Sequence, residues 1–141
     1  MSKIAVVFWS GTGNTESMSE FVAKGVRETG AEVTVYSASE FDPDALEQYD
    51  AVAFGCPSMG AEELEESEFE PMFSDCKPRL KGKKIALFGS YGWGDGEWMR
   101  NWEESCQSLG AVLVNDSVIC NEAPDQDAQS ACINLGKALT L

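Results

Sequence analysis

Three short segments of this chain combine residue types and spacings that suit ligand binding. The first is Ser10-Gly11-Thr12-Gly13-Asn14-Thr15, which leaves an apolar run and opens a helical one. Ser10, Thr12, Asn14 and Thr15 carry short polar side chains that donate hydrogen bonds. The glycines let the backbone turn tightly, and the N–H groups at a helix start carry partial positive charge. The segment therefore suits a phosphate monoester held by neutral donors alone. No Lys or Arg lies in it, so it is not a triphosphate loop ending in Gly-Lys-Ser/Thr. The three spaced glycines of the dinucleotide fingerprint are also missing. The plainer alternative is a helix start capped by Asn14 or Thr15.

The second segment is Cys56-Pro57-Ser58-Met59-Gly60-Ala61-Glu62. It sets a soft apolar side chain beside a glycine whose peptide can flip at little cost. Read plainly, it is a turn with a core-facing Met59. The third is Ser90-Tyr91-Gly92-Trp93-Gly94-Asp95-Gly96, an aromatic pair among glycines. Such aromatics make stacking walls, and the open backbone amides can donate to a ligand; the alternative has Trp93 plugging the edge of the core. Trp98 and Trp102 stand four apart within a helical segment and read as packing. A phosphate clasp, a Met–Gly loop and a Gly–Trp–Gly loop describe a slot for a flat ring with a phosphorylated tail. Flavin mononucleotide (FMN) fits that description.

The elements that must position these loops alternate. Apolar runs at Lys3 to Trp9, Glu32 to Tyr36, Ala51 to Gly55, Lys84 to Ser90 and Ala111 to Cys120 read as strands, the last less regular. Helices are expected at Thr15 to Thr29, Phe69 to Leu80, Glu97 to Leu109 and Asp125 to Leu139. A brief helical turn starts at Asp42-Pro43-Asp44. Strand–helix alternation calls for a doubly wound α/β domain, a parallel sheet covered on both faces by right-handed crossovers. In such sheets ligands bind beyond the carboxyl ends of the strands, where strand order reverses. All three segments follow strands that end there.

Composition bounds the function. The 141 residues suit one domain over 1–141, with 43% hydrophobic residues and no need of a staple. Ten Lys and Arg against 24 Asp and Glu, with no His, give a formal charge of −14. Nucleic acid and anionic membranes should be repelled, basic protein partners attracted, and self-association opposed in favour of a monomer. Five cysteines without Cys-x-x-Cys spacing or His partners argue against zinc, iron–sulfur clusters and a disulfide framework, and for reduced thiols. Neither a signal peptide nor a long apolar span is evident, which leads to an expected cytoplasmic location.

On these segments the chain resembles the flavodoxin family, specifically its short-chain clostridial type. The resemblance runs over nearly the whole chain and is strongest at Trp9 to Thr15, Met59 through Pro71, and Lys83 to Met99. It implies a five-stranded sheet of order 2-1-3-4-5 and a one-electron FMN carrier that is not itself an enzyme. Its partners would be flavodoxin or ferredoxin reductases and other basic-surfaced oxidoreductases. Residue by residue, it implies that Ser10, Thr12, Asn14 and Thr15, with Gly11 and Gly13 in their turn, bind the phosphate. Met59 would cover one flavin face and Trp93 the other. Gly60 would offer its carbonyl to flavin N5–H in the semiquinone after a peptide flip, and Glu62 would accept from N3–H. Amides of Gly92 to Gly94, beside Ser90 and Tyr91, would serve the pyrimidine edge. Pro57 stands where some relatives have a hydroxyl, leaving Ser58 to help near the phosphate.

Reduced flavin tends to carry a ring charge. Here it would form beside Glu62, Glu63, Glu65, Glu66, Glu68 and Glu70, which disfavours the second electron and gives a low semiquinone/hydroquinone potential. The same acidic run suits a docking surface for basic partners, the alternative being a solvated flank; charge reversal at Glu65, Glu66 and Glu68 should slow partner reduction if it docks them. An FMN-dependent NAD(P)H:quinone reductase on the same fold is the nearest alternative, but no basic dinucleotide pocket is evident. A phospho-accepting receiver domain needs acidic strand ends, whereas here they read Phe8-Trp9-Ser10 and Phe54-Gly55-Cys56.

Overall fold

A computed structural model of the chain describes residues 2–60 and 62–141. Six strands, β1 (Lys3–Phe8), β2 (Glu32–Ser37), β3 (Ala51–Gly55), β4 (Lys84–Tyr91), β5 (Val112–Leu113) and β6 (Val118–Asn121), form one parallel sheet. Its order is β2-β1-β3-β4-β5. The irregular last strand is two pieces: β5 pairs with the start of β4 at Lys84 and Ile85, and β6 with its end from Phe88 to Tyr91. Asn115, Asp116 and Ser117 lie between them, where polar residues interrupt the apolar pattern. The sheet thus keeps the five positions and the expected order.

Side chains alternate along each strand, so the two faces feed two separate cores. Ile4, Val6, Ala51, Ala53, Ala86 and Phe88 pack under helices α1 (Asn14–Glu28) and α4 (Gln126–Ala138). Ala5, Val7, Val52, Phe54, Ile85 and Leu87 face α2 (Phe69–Cys76) and α3 (Glu97–Ser108). Helix α2 is shorter than its apolar pattern suggests, because Pro78 cannot donate to the ladder and the chain continues as a 3₁₀ turn over Lys77–Arg79. Asp42 caps the 3₁₀ turn Pro43–Gln48, and Asp125 caps α4 by accepting from the Ala128 N–H at 2.8 Å.

Helices α1 and α4 lie backbone against backbone. A Cβ on Gly136 would overlap the Val22 carbonyl, and one on Gly25 the Ile133 carbonyl. This contact holds α1, and with it the turn that precedes it, against the sheet. All five cysteines are free; Cys56, Cys76, Cys106 and Cys132 are buried and Cys120 is half-buried. Among the described residues, no helix is long and apolar enough to cross a membrane.

Candidate functional site

The loops after β1, β3 and β4 meet at the carboxyl edge of the sheet because the strands themselves carry them there. The Trp9 N–H donates to the Gly55 carbonyl at 3.0 Å, the Cys56 N–H to Phe88 at 3.1 Å and the Ser58 N–H to Ser90 at 3.1 Å. The three strand ends are thus laced one to three residues past the regular ladder. Trp98 on α3 adds a cross-tie from its indole N–H to the Cys56 carbonyl at 3.2 Å. A Cβ on Gly89 would overlap that same carbonyl, so the close approach of β3 and β4 requires glycine there.

Between these loops lies a cavity of about 220 Å³, lined by Ser10, Gly11, Thr12, Asn14, Thr15, Pro57, Ser58, Met59, Ser90, Tyr91 and Gly92, together with Trp9 and Glu122. Eleven of the expected residues are therefore brought to one space. Gly13, Gly60, Glu62, Trp93 and Gly94 are not among its walls, and Ala61 lies outside the described residues.

At its polar end, α1 begins without a side-chain cap. Gly13 occupies the cap position at φ 95°, and neither Asn14 nor Thr15 caps the helix. Ser10 instead turns its Oγ back to accept the Gly13 N–H at 3.0 Å. The plainer alternative of a capped start is thereby set aside, and helix-end N–H groups remain that no capping side chain occupies, the arrangement an anion needs. Thr15 is buried, and its Oγ1 accepts from the Ser90 N–H at 3.3 Å, leaving its own proton to donate. No cation lines the cavity.

At the other end, Met59 and Trp93 are 36% and 64% exposed, far more than apolar side chains of that size usually are. Trp93 does not plug the core, and Met59 does not face it. Trp98 and Trp102, at 2% and 3%, do pack inside as the spacing suggests. The loop carrying Met59 is a small hairpin. Met59 and Glu63 exchange backbone hydrogen bonds at 2.8 Å each, closing the tip that holds Gly60 and Glu62, at φ 52° and 56°. Left-handed geometry at Glu62 is costly for a residue with a Cβ. That geometry brings Glu62 against Gly94, where a Cβ on Gly94 would meet the Glu62 Cδ at 2.8 Å. The Glu62 Oε1 is buried without a hydrogen-bond partner. Carboxylate oxygens of Glu62, Asp95 and Glu97 lie within 4.8 Å of one another, so this end of the site is strongly negative.

Sequence reasoning missed Trp9 and Glu122 as parts of the site. Trp9 packs its ring under Gly11, and its indole N–H donates to Glu68 Oε1 at 3.2 Å. Its place as the last residue before the loop is the only sequence signal. Glu122, at φ 59°, follows β6 and accepts the Ser90 hydroxyl at its carbonyl at 2.6 Å. Nothing local in the sequence marks it.

One acidic residue differs from expectation. Glu65 is 5% exposed and takes no part in a solvated surface. Its carboxylate accepts the Ser67, Glu68 and Phe69 N–H groups at 2.8, 2.8 and 2.9 Å and the Ser67 hydroxyl. Burial alone pushes its pKa up. The Ser67 hydroxyl and the three N–H donors outweigh burial and hold the carboxyl below the usual range.

The family model for flavodoxin matches residues 6–136. This chain belongs to the flavodoxin family. It is 48% identical over 134 residues to a flavodoxin of Clostridium beijerinckii, covering 95% of this chain and 96% of that one. It is 44% identical over 135 residues to a flavodoxin of Megasphaera elsdenii, with 96% of each covered. The solution structure of two-electron reduced Megasphaera elsdenii flavodoxin superposes with a TM-score of 0.89, covering 96% of this chain and 97% of that chain. Flavodoxins are FMN-binding electron carriers, not enzymes. This flavodoxin is therefore an FMN protein that exchanges electrons with oxidoreductases, and the short-chain resemblance stands.

The residues present fit that cofactor. An uncapped, cation-free helix start suits a phosphate. The unpartnered Glu62 Oε1 suits a ring N–H, and two exposed apolar side chains suit ring faces.

Proposed function

We propose that this flavodoxin carries single electrons at low potential, with FMN held non-covalently by the three loops of a single domain spanning residues 1–141. The observation that carries this reading is the buried, unpartnered Glu62 oxygen on a loop whose tip also holds the exposed Met59. A buried carboxylate oxygen without a donor is costly, and a ligand N–H relieves that cost.

Bound FMN supplies the redox chemistry, and the protein tunes it. Ser10, Thr12, Asn14 and Thr15, with the N–H groups that open α1, would hold the phosphate without a counter-charge, so the phosphate would keep its own negative field. Pro57, Ser58, Ser90, Tyr91 and Gly92 line the cavity that would take the cofactor, Gly94 keeps room for Glu62, and Met59 and Trp93 would exclude water from the ring faces. The Gly60 carbonyl lies at the hairpin tip, where a flip would turn it toward a ring N–H. The Glu62, Asp95 and Glu97 carboxylates crowd this end, so adding a second negative charge is disfavoured.

Exposed Glu63, Glu66, Glu68 and Glu70 beside the ring site would meet basic-surfaced redox partners, and the charge of −14 opposes self-association, favouring a monomer. A cytoplasmic location suits an acidic carrier whose cysteines are all free.

The test is a reductive titration of the purified protein with dithionite under argon. Yellow flavin bands that pass through a long-wavelength one-electron species before bleaching support the reading. Direct two-electron bleaching with rapid NADPH oxidation would replace it with the reductase reading. A colourless protein that ignores added FMN would remove the cofactor site altogether.

A further inference from the structure

The segment between β3 and α2 is pinned at both ends, and one buried side chain makes most of the second attachment. At the first end the lacing of Cys56 and Ser58 to β4 fixes the approach to Met59. At the second, Glu65 ties three places together. Its backbone N–H reaches the Cys56 Sγ at 3.4 Å, its carbonyl accepts the Glu70 N–H at 2.8 Å, and its carboxylate gathers the four donors of Ser67, Glu68 and Phe69. Glu68, whose N–H is one of those donors, holds the Trp9 indole under the phosphate loop. Between the two attachments stand the Met59–Glu63 hairpin and Leu64, which packs against the core.

The geometry points to Glu65 as a positioning residue for the flavin site: its carboxylate fixes the second leg of the Met59–Glu63 hairpin, and so sets where Met59, Gly60 and Glu62 meet the ring. Resting on the flavin-site reading above, this gives Glu65 a role distinct from the exposed glutamates around it. Those act through charge. Glu65 acts through shape, because its charge is already shared among four donors at the start of α2.

An amide is a severe test of this role. Each Glu65 oxygen accepts two donors, Oε2 both of Ser67 and Oε1 those of Glu68 and Phe69. In Glu65→Gln one oxygen becomes an NH₂ group facing two donors, and the buried cluster cannot re-pair. Glu66→Gln removes the same formal charge from an exposed neighbour and disturbs no such cluster.

The experiment measures FMN and riboflavin dissociation constants and both one-electron potentials for the full chain and the two variants. Glu65→Gln is expected to weaken both ligands about tenfold or more, a factor of ten being about 1.4 kcal/mol. It should also shift the first-electron potential. Glu66→Gln should leave both dissociation constants within about twofold and shift only the second-electron potential. Equal behaviour of the two variants would overturn the inference. Failure of the unmodified chain to bind FMN would instead overturn the flavin-site reading.

Hydrogen exchange at the Met59 and Glu63 amides is read on the same full-length proteins and needs no bound flavin. Faster exchange in Glu65→Gln supports the positioning role, and unchanged exchange refutes it. Should Glu65→Gln fail to fold, Ser67→Ala removes one donor with no change of charge. Severalfold weaker binding of both ligands is then expected, and wild-type affinity would refute the role.

Discussion

Gly94→Ala should weaken FMN binding by evicting Glu62, although Gly94 itself offers a ligand no side chain. The new Cβ would meet the Glu62 Cδ at 2.8 Å, closer than carbon atoms approach, and would overlap Oε1. Gly94 also sits at φ 88°, so alanine adds a strain of about 1–2 kcal/mol, which enters folding stability. The binding effect comes from Glu62. A hydrogen bond to a charged acceptor is worth about 1.5–3 kcal/mol, so losing it raises the FMN dissociation constant roughly 10- to 150-fold. Quenching of flavin fluorescence on binding measures that constant directly. Glu62→Ala should cost a similar factor, because it deletes the same acceptor. The double variant should cost little more than either single one, since nothing remains to evict. Its coupling energy should equal most of one single-variant loss. Losses that simply add would show that Gly94 acts through the backbone alone, and would refute the contact between the two loops as the cause.

Gly136→Ala forces a Cβ into the Val22 carbonyl and should destabilise the fold by about 1–3 kcal/mol in chemical denaturation, with α1 protection lost first. Charge reversal at Glu63, Glu66 and Glu70 should slow reduction by a basic partner and flatten its salt dependence, whereas an unchanged rate across a salt series removes the docking role. Burial pushes the thiols of Cys56, Cys76, Cys106 and Cys132 up to about 12. Their contribution to stability is therefore complete below the unfolded thiol value of about 8.5 and is lost as pH rises toward 12, so urea midpoints should fall across that window and less steeply in Cys132→Ala. Glu65, held below the usual carboxylate range, contributes above its unfolded value of about 4.3 and loses that contribution as pH falls through its folded value. Glu65→Gln should accordingly flatten the acid limb of a stability–pH curve.

What the sequence made legible was local, and what it hid was long-range. Ala51–Gly55 is an apolar run between a charged residue and a turn: β1 and β4 pair along its two edges, and its alternating side chains feed the cores on both faces. The Ser10–Thr15 loop announces its chemistry by composition. Its uncapped helix start does not, because Ser10 wins the Gly13 N–H only once Gly13 adopts φ 95°. Glu65 is the clearest case of concealment. In the sequence it is one glutamate in a run of acidic residues, and charge arithmetic counts it with the rest. In the fold it is 5% exposed, because the chain must turn from the hairpin into α2 and the turn leaves three N–H groups without carbonyl partners. A carboxylate reaching across that turn satisfies all of them at once. On the function proposed above, the acidic run divides by burial: its exposed members would set the field that a partner or a second electron meets, and the buried member would set the geometry on which that field acts.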